Sequence, residues 1–316
     1  MMIERRFKMR VTVMGCGNAF STKNGNNCLL LEDLEVVNTS DSVQINSQSY
    51  NRKMLIDAGW ALPYMLEKNG VDVKEINDVY ISHAHADHIG GLEYLGFTRY
   101  DWFTKPQFWD EFKNGSAPNI IANSKLLTDL WHNSLSGGMS SLEGIDACMD
   151  TFFRPHPIMP NETFEWCGWK CKLIQQIHIM TGTIITNTFG LFMEKPGHPS
   201  LYFVTDSQHC SPRQIEIFYK KADVIFQDCE CIGVDTTNKL SKFMSGVHAN
   251  YAQLAGWPSA NSVLLPGDIK AKMYLTHYQD FVSEDKDMFG NHCSWNDLAT
   301  EDGLRGFVKV GQTFEF

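Results

Sequence analysis

Three histidines and an aspartate fall within six residues, His83-Ala84-His85-Ala86-Asp87-His88. Neutral imidazole nitrogen and carboxylate oxygen are the donors a zinc-type divalent ion takes, commonly four at a time in a tetrahedron. Four donors so close in sequence serve two ions more readily than one. A histidine-rich surface turn is a poor account, because the whole chain of 316 residues holds only 11 histidines. Three further residues complete a two-metal set. His178 ends the run Leu173–Ile177, Asp206 follows Leu201–Thr205, and His277 follows Met273–Thr276. Each is expected at the end of an apolar strand, where active-site groups are commonly presented. Taken singly, each would read as a hydrogen-bonded loop residue; the neighbouring cluster changes that reading.

The elements that must position these residues are legible as β-rich runs. Arg10–Met14, Cys28–Glu32 and Lys53–Asp57 read as strands, with the polar stretch 38–52 as a loop or hairpin tip. Ala61–Asn69 reads as a short helix closed by Gly70. Val79–Ser82 is a buried strand leading into the histidine cluster, and a helix is expected to start from Ile89. The segment 97–177 reads as irregular, aromatic-rich and insertion-like, with a helix at 122–135 and short strands over 152–177. Gly190–Met193, Leu201–Val204, Val224–Phe226 and Met273–Leu275 repeat the strand pattern, with helices at 212–221 and 249–255. Phe307–Phe316 is expected to close the chain as a strand pair. No repeat or Pro/Gly linker divides the sequence, so one domain over 1–316 is expected.

Composition bounds the chemistry. Hydrophobic residues make up 43% and charged residues 20%, enough apolar material for a packed core and not the makeup of a disordered chain. The 27 Lys+Arg against 37 Asp+Glu give a net charge of −10, which counts against a long nucleic-acid footprint. A small anion held by local positive charge, such as metal ions, fits that balance. No apolar run has bilayer-spanning length, so no membrane partner is expected, and the N-terminal residues show no secretory pattern. Nine cysteines without scaffold spacing point to reduced thiols and a cytoplasmic setting.

With these residues in place, the sequence resembles the metallo-β-lactamase-fold hydrolases from Val11 to Phe316. The family's first motif, an aspartate after a strand, is matched by Leu55-Ile56-Asp57-Ala58-Gly59; the second is the His83–His88 cluster; His178, Asp206 and His277 match the third to fifth in order. The resemblance implies a mixed α/β fold, a four-layered αββα sandwich with the site at one edge of paired sheets. It implies that His83, His85 and His178 hold one ion, that Asp87, His88 and His277 hold the other, and that Asp206 bridges them. Asp87 thereby counts among the catalytic residues as well as the ligands. Asp57 would orient ligands from outside the coordination sphere. The implied cofactors are two divalent ions, zinc first and manganese second.

Asp206 stands where the zinc β-lactamases that use a thiolate carry Cys. The segments Ala222–Cys229 and Gly246–Ala249 are similar to the ribonuclease Z-like phosphodiesterases, in which an acid orients a histidine that protonates the leaving oxygen. The matching pair is Asp228 and His248, with Asp228 one methylene shorter than the usual Glu and Ala249-Asn250 replacing the usual Ser-Thr. Two ions about 3.5–4 Å apart lower the pKa of a shared water and neutralise a phosphoryl oxygen, so the implied chemistry is in-line attack on phosphorus with His248 as acid. The tRNA-processing relatives carry a long arm between the third and fourth motifs, but only 28 residues separate His178 from Asp206. The pattern therefore resembles the armless small-molecule branch, which includes cyclic-nucleotide phosphodiesterases and the anti-Pycsar enzymes that destroy cyclic pyrimidine mononucleotides. A small anionic phosphodiester is the expected substrate, and a homodimer is compatible with everything above. The alternatives are a ribonuclease Z-type endonuclease and a metal-binding protein of the same fold without turnover.

Other features carry less. Gly15-Cys16-Gly17 begins like a dinucleotide fingerprint, but Phe20 takes the third glycine position, so it reads as a tight turn facing the site. Cys167 with Cys171, and Cys229 with Cys231, have the spacing for an extra zinc but no convincing partners, and read as buried thiols. Thr181, Thr183, Thr186 and Thr188 fit either an active-site loop or an edge strand. Trp102 and Trp109 fit either stacking on a base or packing in the core, with core packing the default.

Overall fold

A computed structural model describes residues 9–34, 52–104, 117–260 and 263–316, without the side chains of 101–104. The polar stretch 38–52 lies outside these residues apart from Arg52, as do Trp109 and the Trp102 side chain.

Apolar alternation builds the first sheet. Strands β1 (Met9–Gly15), β2 (Cys28–Asp33) and β3 (Lys53–Ile56) pair antiparallel in chain order. Val11, Val13, Leu29, Leu31, Met54 and Ile56 point to one side, into a core shared with a second sheet. Met14, Leu30 and Leu55 point to the other, against helices. A strand apolar on both faces can only be an inner layer. Strands β4 (Ile76–Tyr80), β5 (Asn119–Asn123) and β6 (Arg154–Ile158) continue the sheet in parallel. Helices α1 (Leu62–Lys68), α2 (Ala86–Ile89), α3 (Leu92–Thr104) and α4 (Ser124–Leu130) follow in the connections, and Leu62, Met65, Leu92, Leu95, Leu127 and Leu130 cover the outer face.

The second sheet holds β7 (Thr163–Trp166), β8 (Trp169–Thr181), β9 (Ile184–Glu194), β10 (Leu201–Val204), β11 (Val224–Asp228), β12 (Met273–Thr276) and β13 (Gly306–Phe307). Its order is β13-β12-β11-β10-β9-β8-β7, and the first sheet's is β14-β1-β2-β3-β4-β5-β6, with β14 at Thr313–Glu315. Helices α5 (Tyr251–Ala255) and α6 (Trp295–Glu301) pack on this half through Leu254, Trp295 and Leu298. The layers are those of the expected αββα sandwich.

Four expectations change. The segment 97–177 is no insertion: its described residues supply β5 and β6 to one sheet and β7 with most of β8 to the other. The last ten residues are not a pair, because β13 joins β12 in one sheet while β14 joins β1 in the other. The second helix turn begins at Ala86, on the histidine cluster itself. The threonine-rich stretch forms the far end of one long hairpin of β8 and β9 that turns at Gly182-Thr183, where the ladder from the Ile174 and Gly190 pair to the Thr181 and Ile184 pair runs beyond the pairing with β7 and β10. His178 therefore does not end its strand. It sits at a β-bulge between Ile177 and Ile179, where the extra residue re-aims a side chain that simple alternation would not deliver.

A buried carboxylate braces the sandwich away from the histidines. Asp78 of β4 accepts from Arg52 Nε (2.6 Å) and Nη2 (2.8 Å), Asn119 Nδ2 (2.6 Å) and, across the sheets, Trp166 Nε1 (2.9 Å). Asp78→Ala would leave the indole and amide donors without their acceptor. The expected cost is about 2–4 kcal/mol, read as a lower denaturant midpoint at unchanged slope. No helix among the described residues is long and apolar enough to cross a membrane.

Candidate metal centre

Strand ends and tight turns bring the sequence-predicted residues together. Asp57 follows β3, His83–His88 follow β4, Asp206 follows β10, Asp228 ends β11 and His277 follows β12. The sheets touch here: Phe189 N–H donates to Ser82 O (3.1 Å), and Tyr80 Oη–H to Phe189 O (2.6 Å). Asp57 and His277 both adopt left-handed backbone, with φ of 62° and 61°. Such strain costs on the order of 1–3 kcal/mol and persists only where the surroundings impose it. Around Asp57 they do, since its carboxylate accepts from Ser82 N (2.8 Å), Ser82 Oγ (2.7 Å) and His88 Nδ1 (2.7 Å).

Three groups of donor atoms converge, each within 4.8 Å: His83, His85, His178 and Asp206; Asp87, His88, Asp206 and His277; and Asp206, Asp228, His248 and His277. All but His85 and His248 are buried. Tautomers follow from the outer bonds. His88 donates from Nδ1 to Asp57, His178 from Nδ1 to Val247 O (2.9 Å), and His277 Nδ1 lies 3.2 Å from Asp228 Oδ1. Their Nε2 atoms are left facing inward. His88 Nε2 lies 3.3 Å from Asp87 Oδ2 and 3.1 Å from Asp206 Oδ1, yet His88 Nε2 and Asp206 Oδ1 are buried without a hydrogen-bond partner. His277 Nε2 is 3.2 Å from both Asp87 Oδ2 and Asp206 Oδ1. On the other side, His85 Nδ1 is 3.0 Å from His83 Nε2 and 3.2 Å from His178 Nε2. Imidazole nitrogens and carboxylate oxygens gathered this closely suit a cation between them. Donors around one zinc-sized ion stand about 3.3 Å apart, so the donor set fits divalent metal.

Electrostatics gives the same division. Burial pushes the His83 imidazole well below its usual range and lowers His85 and His178 too, keeping them neutral. At His88 burial is outweighed by the Asp206 and Asp57 carboxylates, which hold the imidazole well above its usual range. His277 rises to about 10 because Asp206, Asp228 and Asp87 outweigh its burial. Without metal, protons on His88 and His277 offset the carboxylates; a divalent ion would displace them.

His248 and Asp228 also meet. His248 Nδ1 lies 3.0 Å from Asp228 Oδ2 and 4.0 Å from Asp206 Oδ2, and burial notwithstanding, these carboxylates raise its pKa. His248 stands two residues before Asn250, which caps α5 by accepting from Ala252 N (3.1 Å). Asn250 thus does a cap's work where the expected pattern has threonine. Sequence reasoning missed three positioning groups: Ser82, which also lies 3.1 Å from His83 Nδ1; the Val247 carbonyl; and the second contact of Asp228, to His277. A polar residue directly preceding the cluster was the one available signal for Ser82. Among the described residues no cysteine joins these groups, and all nine cysteines are free.

Two packed sheets flanked by helices, with this centre at their common edge, define a metallo-β-lactamase fold. The metallo-β-lactamase fold protein YhfI from Bacillus subtilis has a similar structure, with a TM-score of 0.59 at 17% identity over 98% of this chain and 100% of that one. The family model for anti-Pycsar protein Apyc1 matches residues 9–314, and the chain belongs to that family. An anti-Pycsar protein Apyc1 from Bacillus phage 010DV004 is 33% identical over 316 residues, covering 98% of this chain and 99% of the relative. Another, from Saccharibacillus brassicae, is 34% identical over 144 residues, a match that spans 46% of this chain and about half (48%) of that relative.

Proposed function

We propose that this chain is a metal-dependent phosphodiesterase that hydrolyses a small cyclic nucleotide in the cytoplasm, as one domain with two divalent ions, zinc or manganese, as cofactors. The observation that carries this reading is the shared carboxylate. Asp206 turns Oδ1 toward His88 and His277 and Oδ2 toward His83 (3.8 Å) and His178 (3.7 Å). In this reading His83, His85 and His178 hold one ion, Asp87, His88 and His277 hold the other, and Asp206 serves both. Two ions held there would supply an acidified water and neutralise phosphoryl oxygens. The chain does the rest. Asp57 fixes His88, Val247 O fixes His178, and Asp228 fixes His277, so the three rings are aimed before any ligand arrives. Asp228 also keeps a proton on His248 Nδ1, which frees Nε2–H to protonate a departing ribose oxygen.

The name anti-Pycsar carried by the relatives supports a cyclic pyrimidine mononucleotide as substrate. The net charge of −10 favours a small substrate over a long RNA. Purified protein supplied with Zn or Mn is tested against cyclic mononucleotides, bis(p-nitrophenyl) phosphate, a pre-tRNA and a thioester. Cyclic mononucleotides should be opened at rates that depend weakly on salt, because few phosphates meet basic side chains. Processing of pre-tRNA with cyclic nucleotides left intact would make the chain an RNA nuclease, and tight metal binding without turnover would make it a binding protein.

A further inference from the structure

Two exposed aromatic rings stand on the loops that frame the Asp87–His277 side of the centre, and neither belongs to its donor set. Phe20 is 87% exposed and Trp60 47% exposed. An apolar ring so open to water normally sits on a mobile tip, but both loops are tied down. Asn18 N–H donates to Tyr278 O (3.1 Å), the residue after His277, and Phe20 N–H turns back onto Asn18 Oδ1 (3.2 Å). The next four residues wrap the Asp280 carboxylate, which accepts from Ser21 Oγ, Thr22 N (2.9 Å), Thr22 Oγ1 (3.2 Å), Lys23 N (3.3 Å) and Asn24 Nδ2 (3.1 Å). Asn26 then fixes the second loop by accepting from Ala61 N (2.9 Å).

Trp60 is seated as closely on the metal side. The preceding Gly59 has no room for a side chain, since a Cβ there would lie 2.0 Å from Asp87 O. Ala58 N–H donates to His88 O (2.7 Å). The two loops also meet, through Trp60 Nε1–H and Ala19 O at 3.4 Å. The backbone carrying both rings is thus bonded next to His277 on one side and to His88 on the other.

Resting on the phosphodiesterase reading, we propose that Phe20 and Trp60 form the surface on which the flat base of the substrate nucleotide stacks while its phosphate lies at the metal centre. A base offers a π-face whatever its identity, so a fixed, exposed ring can grip pyrimidine and purine alike. Rigidity matters, because a ring already held in place loses little entropy on binding. The rings are binding residues, touching the base and not the reacting atoms.

The experiment compares kcat/KM for a cyclic mononucleotide with that for the cyclic ribose phosphate lacking a base, in wild type, Phe20→Ala, Phe20→Leu and Phe20→Trp. The preference for the base-bearing substrate should fall about five- to one-hundredfold in Phe20→Ala, through KM. Phe20→Leu should fall similarly, since it is apolar but not flat, and Phe20→Trp should restore the preference. Equal losses on both substrates, or none, would overturn the stacking surface while leaving the phosphodiesterase reading intact. A changed oligomeric state at an unchanged preference would assign the ring to an interface between copies and overturn it too. If wild type opens no cyclic mononucleotide, the phosphodiesterase reading fails first and takes this proposal with it.

Discussion

Asp206→Ala should abolish hydrolysis and leave fewer than two metal ions per chain. The carboxylate is buried, and its two oxygens lie within 4.0 Å of five histidine nitrogens, those of His83, His88, His178, His248 and His277. Among the described residues no other faces both halves of the centre in this way. Metal-derived stabilisation of transition-state charge amounts to several kcal/mol, so losing it should cost roughly 10³-fold or more in kcat/KM. Asp206→Asn should fail as well, since it keeps the shape but removes the charge. Metal analysis after gentle purification should find close to two equivalents in wild type and fewer in either variant. Two equivalents retained by Asp206→Ala, or full activity of wild type with one, would sink the two-ion reading.

What the sequence disclosed about this centre depended on how local each signal was. The donors of His83–His88 are contiguous, so their chemistry is visible without knowing the fold. Asp206 and His277 were legible because each follows an apolar strand whose end it marks. His178 was named for that same reason, but the structure puts it at a bulge inside a strand running on to Thr181. Polar Thr and Gln along β8 and β9 hid that length, because strand residues are recognised from sequence by their apolar alternation. The contact of Asp228 with His277 was hidden too. It joins residues 49 positions apart on neighbouring parallel strands, and depends on pairing Asp228 with Thr276. The closing strands show the same limit: Phe307 and Phe314 look alike in sequence, and only pairing with β12 or β1 sends them to different sheets.

His248→Ala separates proton donation from metal binding. In the proposed division of labour His248 is not counted among the metal ligands, so the variant should keep both ions. Its hydrolysis of phosphodiesters should slow by about 10²–10⁴-fold if Nε2–H is the general acid. The loss should be greatest when an alkoxide departs and much smaller for p-nitrophenolate, which leaves without a proton. Asp228→Asn is the informative companion, because Asp228 serves two histidines. Through His248, at 3.0 Å, it should reproduce the leaving-group dependence. Through His277, 3.2 Å away, it should also weaken the hold on metal, by about 10–100-fold for an outer partner of a ligand. Excess metal should therefore recover part of the Asp228→Asn loss and none of the His248→Ala loss. If His248→Ala loses an ion, the division of ligands is wrong. If it keeps both and cleaves alkyl and aryl phosphodiesters at wild-type rates, the Asp228–His248 pair is structural, and the proton for the leaving oxygen comes from elsewhere.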